Sequence, residues 1–328
     1  MNEPSLPVLG IWVLFGFLVA ALASAALLFL LGRLNVRQHA YEDAPETHRE
    51  KTGTPTMGGL VFLVVLLLVA LVATFATARV PLLPELVFLV VLCAGIGAID
   101  DMLAIRQGGN RGLSARTKLL ATALAATIFM RLIGASPALF PPDVLFHGGG
   151  FWLSSPHWLW LVLGILAIVG TTHAANLTDG LDGLAAGTMI PPLIVVALIG
   201  AQMAMPAAAI AAAAGAGACG GFLLFNAHPA KLFMGDTGSL ALGALLAGAA
   251  ILTGEMLLLL VIGAVFVAEA LSVILQVTYF KATHGRRILR MSPLHHHFEL
   301  SGWPETKVTT RFWVASAIAS LVGLAIVR

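Results

Sequence analysis

The chain is a series of long apolar runs, and its polar clusters fall in the gaps between them. With 59% hydrophobic and only 10% charged residues in 328, and a mean hydropathy of +0.96, the runs exceed what a soluble core of this size uses. Read in windows of about 20 residues, the length that crosses a bilayer, they predict spans near 7–34, 57–78, 83–100, 117–135, 157–176, 184–200, 206–225, 238–252, 256–280 and 307–327. The fold class expected is therefore an all-α polytopic membrane protein of about ten helices, a single integral-membrane domain over 1–328. The first run follows Met1-Asn2-Glu3 without a basic leader and reads as a retained spanning helix.

Lys and Arg set the expected orientation. Fifteen of the 18 lie in or beside the odd-numbered gaps, including Arg37, Arg49, Lys51, Arg106, Arg116, Lys118, Lys231 and Arg286, and only Arg79, Arg131 and Arg328 lie on the other side. The positive-inside bias then makes those gaps cytoplasmic and places both termini outside. Cys93 and Cys219 fall inside apolar spans and read as packing residues. The Ala/Gly-rich stretch 207–221 suits close helix packing. The outer loop 136–156, with Pro141-Pro142 and Gly148-Gly149-Gly150, reads as turns with a short hairpin.

The inner gaps carry the chemistry. Asp100 and Asp101 stand side by side where the third span meets the cytoplasm. Paired acids there suit Mg²⁺, which takes one or two carboxylates and fills its shell with water and phosphate oxygens; the plainer reading is a topological stop. Asn176-Leu177-Thr178-Asp179-Gly180-Leu181-Asp182-Gly183 gives an amide, a hydroxyl and two carboxylates within eight residues. One of its acids is a candidate cap for the sixth helix. After the seventh span, Asn226 and His228 lead to Phe233-Met234-Gly235-Asp236-Thr237-Gly238-Ser239, where an acid and two hydroxyls fit a metal beside a phosphate and Phe233 offers a stacking face. Asp236 or Thr237 is also a candidate cap for the eighth helix.

Two weaker signals complete the set. Lys51 precedes Gly53-Thr54-Pro55-Thr56-Met57-Gly58-Gly59, whose hydroxyls, Thr56 among them, suit phosphate, although the Walker spacing is absent. His295, His296 and His297 are consecutive and splay apart, so they are poorly placed to share one zinc ion; contact with phosphate or a carboxylate suits them better.

These motifs closely resemble those of the polyprenyl-phosphate N-acetylhexosamine-1-phosphate transferases, and within them the branch acting on phospho-N-acetylmuramoyl-pentapeptide. The resemblance rests on GTPTMGG at 53–59, IDD at 99–101, GLSARTK at 112–118, NLTDGLDGLA at 176–185, FNAHPAKLFMGDTGSLALG at 225–243 and PLHHHFELSGWPETKV at 293–308. It covers almost the whole chain, and the last motif separates this branch from its sisters.

The resemblance implies transfer of the phosphosugar from UDP-MurNAc-pentapeptide to undecaprenyl phosphate, giving lipid I and UMP, with Mg²⁺ as cofactor. It also implies a homodimer in the bacterial inner membrane with the active site facing the cytoplasm, and no nucleic-acid partner. Asp100, Asp101 and Asp236 correspond to essential acids and metal ligands, Asp236 foremost. His295 joins them as a catalytic candidate. Asn176, Asp179, Asn226, Phe233 and Gln276 correspond to the nucleoside side of the substrate pocket, Lys51, Lys118, His295, His296 and His297 to its phosphates, and Thr56 and Asp182 to further substrate contacts. Glu269, in the ninth span, fits the family pattern as a buried structural residue. The alternatives are a sister transferase using UDP-GlcNAc, against which the HHHFE loop argues, and a cation-coupled transporter, against which the position of the acids outside mid-membrane argues.

Overall fold

The computed structural model describes residues 5–34, 54–76, 80–106, 112–136 and 143–327. Lys51 lies outside the described residues. The helices are α1 (Leu6–Leu34), α2 (Leu60–Ala76), α3 (Leu83–Arg106), α4 (Ala115–Gly134), α5 (His157–Thr178), α6 (Leu184–Gln202), α7 (Pro206–Asn226), α8 (Gly235–Leu252), α9 (Leu259–Ile262), α10 (Ala264–Ala282), α11 (Leu294–Glu299) and α12 (Glu305–Val327). Among the described residues, α1, α3 to α8, α10 and α12 are long and apolar enough to cross a membrane, and α2 is a shorter apolar helix. The all-α polytopic expectation holds.

The run expected as one span over 256–280 is broken. A 3₁₀ turn (Met256–Leu258) and the single turn of α9 precede Gly263, whose φ −92° and ψ 15° depart from helical geometry, and only then does α10 begin. Glycine is the weakest helix former after proline, and the buried Glu255 sets the start of the 3₁₀ turn.

Helices α6, α7 and α8 form the centre. The alanines of α7 from Ala207 to Ala214 are all buried, and their small side chains let neighbouring backbones approach. Around this centre, α1, α2, α4 and α12 turn Leu14, Leu18, Leu67, Leu120, Leu124, Ile318 and Leu321 outward, as lipid-facing helices do.

One end of the bundle is closed by an antiparallel hairpin, β1 (Val144–Gly148) and β2 (Phe151–Ser154), joined through Gly149-Gly150. The Gly149 N–H donates to Val327 O of α12, and the His147 N–H donates to Glu255 Oε1. The opposite end carries the C-termini of α3, α5 and α7 and the N-termini of α4, α8 and α12, and every described acidic motif converges there.

Candidate active site at the ends of four helices

Asp236 opens α8, and its carboxylate is held from two sides. Lys118 Nζ donates to Oδ2 at 2.8 Å and Asn176 Nδ2 donates to Oδ1 at 2.8 Å. Lys118 reaches it from the first turn of α4, which the sequence starts in the ordinary way: Ser114 is the N-cap and its Oγ accepts from the Thr117 N–H at 3.1 Å. The same ammonium lies 3.5 Å from Asp100 Oδ1, which also accepts from the Leu113 N–H at 2.6 Å. Asn176, in the last turn of α5, also donates to Ser239 Oγ at 2.9 Å, so α5 and α8 are tied together at the acid.

Asp101 binds the main chain at the start of α8 instead. Its Oδ1 accepts from the Asp236 N–H at 3.0 Å, and its Oδ2 accepts from the Thr237 N–H at 3.0 Å and from Thr237 Oγ1 at 2.6 Å. A carboxylate of α3 thus caps the N-terminus of α8 from outside, where unpaired N–H groups and the positive end of the helix dipole favour an anion. The sequence reading gave that cap to Asp236 or Thr237; here they supply donors. Gly235 makes the approach possible: it has φ +67°, and a β-carbon on it would lie 2.6 Å from Asp101 Oδ2.

The segment 54–59 presses against the same helix start. The Phe233 N–H donates to Pro55 O, and the Gly58 and Gly59 N–H groups donate to Phe233 O and Met234 O, at 2.8–2.9 Å. A β-carbon at Gly59 would sit 2.0 Å from the backbone nitrogen of Gly238, so this contact is backbone on backbone. Thr56 is buried beneath it. Phe233, clamped through its main chain, keeps a half-buried ring.

Asp179 stands at the C-cap of α5, with no hydrogen-bond partner for its carboxylate among the described residues. Burial raises its pKa well above the usual carboxylate range, and the negative charges of Asp236, Asp101 and Asp182 push the same way.

Other sequence-selected groups brace loops. Asp182 Oδ2 accepts from the Ala230 N–H at 3.0 Å and lies 3.1 Å from His228 Nδ1. Asn226 Oδ1 accepts from the Gly183 N–H, which starts α6, and Asn226 Nδ2 donates to Leu232 O. The expected Asp cap on the sixth helix is absent: Gly183 takes the N-cap position in the left-handed region (φ 72°) with no side-chain cap bond to the first turn of α6. Gln276 Oε1 accepts from the Ile288 and Leu289 N–H groups, and its Nε2 donates to Leu289 O.

The three histidines do splay. His295 is buried against Gly180, and its Nδ1 lies 3.2 Å from Oε2 of the buried Glu269, whose Oε1 accepts from the His295 N–H. Glu269 is thus the buried structural residue expected. His296 pairs with Glu299 at 2.8 Å, and His297 Nδ1 accepts from the Arg290 N–H.

Sequence reasoning passed over Glu305, whose Oε1 accepts from the Asp182 N–H at 2.6 Å, and Trp313, whose Nε1 donates to Gly183 O. Both bind the Asp179–Gly183 turn to α12. The signals for Glu305 were its place in the motif at 293–308 and at the border of the last apolar run.

Residues 83–254 match the glycosyl transferase family 4 model, and residues 51–63 match signature 1 of the phospho-N-acetylmuramoyl-pentapeptide-transferases. The chain is similar to curated proteins named phospho-N-acetylmuramoyl-pentapeptide-transferase. These include one from Geobacillus kaustophilus (42% identity, 94% of each chain covered) and one from Desulforudis audaxviator (43%, 94% of this chain and 95% of the relative). A third is from Bacillus subtilis (40%, 95% of each). Identity at this level along nearly the full length, joined to a site whose acids and lysine meet at one end of a membrane-spanning bundle, leaves one conclusion: the chain belongs to the phospho-N-acetylmuramoyl-pentapeptide-transferase family, within glycosyl transferase family 4.

Proposed function

We infer that the protein transfers phospho-MurNAc-pentapeptide from UDP-MurNAc-pentapeptide to undecaprenyl phosphate, forming lipid I and releasing UMP. The observation that carries this is the meeting of Asp236, Lys118 and Asp100 at the bundle end, in a chain of this family. The charge distribution supports a cytoplasmic face for this end and both termini outside, and residence in the inner membrane follows from the family resemblance. The homodimer rests on the family resemblance alone.

The donor set fits Mg²⁺. Asp236 and Asp100 offer hard oxygen ligands on either side of a single ammonium, and carboxylate oxygens retain lone pairs beyond those their hydrogen bonds use. Asp236, with Asp100, would hold the ion. When bound there, Mg²⁺ supplies positive charge to the pyrophosphate oxygens.

The chain's own groups do the rest. Lys118 neutralises charge on the departing phosphate, an effect strengthened in a half-buried site. The Phe233 ring offers a face for uracil. An oxygen of the lipid phosphate, largely dianionic at neutral pH, bonds to the sugar-linked phosphorus while the bond from that phosphorus to the UMP oxygen breaks and UMP leaves. Asp100 orients the acceptor or takes its remaining proton. A two-step route through a covalent aspartyl intermediate is disfavoured for Asp101, both of whose oxygens are engaged by the start of α8.

The test is transfer of labelled phosphosugar by the purified protein with Mg²⁺, offering UDP-MurNAc-pentapeptide and UDP-GlcNAc separately, beside Asp236→Asn. Lipid product from the muramoyl donor alone, lost in the variant, supports the reading. Product from UDP-GlcNAc moves the chain to the sister branch, and no product from folded protein removes the transferase reading.

A further inference from the structure

His173 lies on α5 three residues before Asn176, so it shares that face of the helix and stands about 4.5 Å deeper in the bundle. The charges of Lys118 and Asp236 both act on its ring. Yet its Nε2 is buried and has no hydrogen-bond partner. Buried polar atoms are almost always paired, so an imidazole nitrogen left open beside an ammonium and a carboxylate points to a partner that the chain itself does not supply.

Packing fixes where that nitrogen sits. Helices α5 and α8 meet backbone to backbone at Gly243, where a β-carbon would lie 2.5 Å from Thr172 Cα, and Gly243 is about two turns along α8 from Asp236. Thr172 is buried in this contact. The next residue is turned by about 100°, which brings His173 into line with the outward stripe of α5. Val162 and Leu166 are exposed on that stripe, and Gly170 faces open space; His173 follows them at spacings of four, four and three residues and is half-buried. A headgroup moving along this stripe from the membrane therefore meets His173 before it reaches Asn176 and Asp236.

We propose that His173 Nε2–H donates a hydrogen bond to a phosphate oxygen of the lipid acceptor and holds that headgroup at the membrane side of Asp236. This rests on the transfer reading above and adds a residue to its acceptor side. A neutral imidazole with its proton on Nε2 is enough, and a bond to one phosphate oxygen leaves another free to attack. The nucleotide donor is met on the other side, where the Phe233 ring is.

The test measures binding of undecaprenyl phosphate and of undecaprenol to the full-length protein in detergent, without nucleotide, beside His173→Leu and His173→Gln. Wild type is expected to prefer the phosphate to the alcohol. His173→Leu is expected to lose about 10–100-fold of that preference with its affinity for undecaprenol unchanged, and His173→Gln, whose amide can donate, to recover part of it. With Mg²⁺ and UDP-MurNAc-pentapeptide present, His173→Leu is expected to raise the KM for the lipid by a similar factor and leave the KM for the nucleotide alone, whereas a merely structural role would move both. Should His173→Leu fail to fold, His173→Phe replaces it. An undiminished phosphate preference in the folded variant, no preference in wild type, or equal changes in both KM values overturns the proposal and leaves His173 as a packing residue. Phosphate binding that depends on His173, in a wild type that transfers nothing from the muramoyl donor, keeps the contact and removes the transfer reading.

Discussion

Asp101→Asn tests whether the second acid of the pair is a brace for α8 or a chemical group. The substitution keeps shape and removes charge. Asparagine can turn its oxygen towards Thr237, preserving the bonds from that residue's N–H and hydroxyl, but its NH₂ then faces the Asp236 N–H that Oδ1 now satisfies. A buried N–H left unpaired costs about 1–3 kcal/mol, and losing an anion at a helix N-terminus costs about 0.3–1 kcal/mol and up to about 2 in buried geometry. Together these give roughly 2–4 kcal/mol. The expected result is an unfolding temperature lower by on the order of 5 °C in detergent, with transfer activity reduced because Asp236 shifts. Asp100→Asn is the comparison: its oxygen can still accept from the Leu113 N–H, so activity falls while stability drops by less than about 1 kcal/mol. Tryptophan fluorescence on heating, run beside the transfer assay, reads both. Wild-type stability in an inactive Asp101→Asn would refute the brace and assign Asp101 to the chemistry.

Lys118→Gln removes the ammonium that Asp100 and Asp236 share and is expected to lower kcat by roughly 10²–10³-fold, measured at saturating donor. Glu255, buried in the turn beyond α8, has its pKa pushed by burial from 4.5 to about 8, partly offset by the His147 N–H. The folded state then holds a proton the unfolded chain has released, so stability falls as pH rises from about 4.5 to about 8. Glu255→Gln is expected to flatten that slope in melts across pH 5–9 and to stabilise the protein at the alkaline end; an unchanged slope would count against it. Gly59→Ala drives a β-carbon into the backbone of Gly238 and is expected to cost about 1–3 kcal/mol and most of the activity. Gly95→Ala in α3, where a β-carbon meets nothing within 4 Å, should stabilise by about 0.5–1 kcal/mol.

The spans were legible because crossing a bilayer demands unbroken apolar length, and that requirement is written locally in the sequence. The break at Gly263 was not, since a single glycine within an apolar run carries no polar mark. The acids were found by type and position, but their division of labour was hidden. Asp100 and Asp101 are adjacent in sequence, yet a helical step of about 100° sends one to Lys118 and the other to the start of α8, and only tertiary contact decides which. The resemblance marks Asp182, Asn226 and Gln276 as substrate contacts, and no local pattern shows what else they do: each also binds main-chain groups of a neighbouring loop. Ser114 caps α4 through a bond within its own four residues, a purely local contact.

The tie between Asp101 and the start of α8 joins residues 135 positions apart, which bears on how the protein is born. A ribosome-bound chain that has threaded its first seven helices into the membrane holds Asp100 and Lys118 but lacks the partner that completes them. The site comes into being only when α8 arrives and docks, because Asp236, the acid that Lys118 and Asn176 hold, enters with that helix.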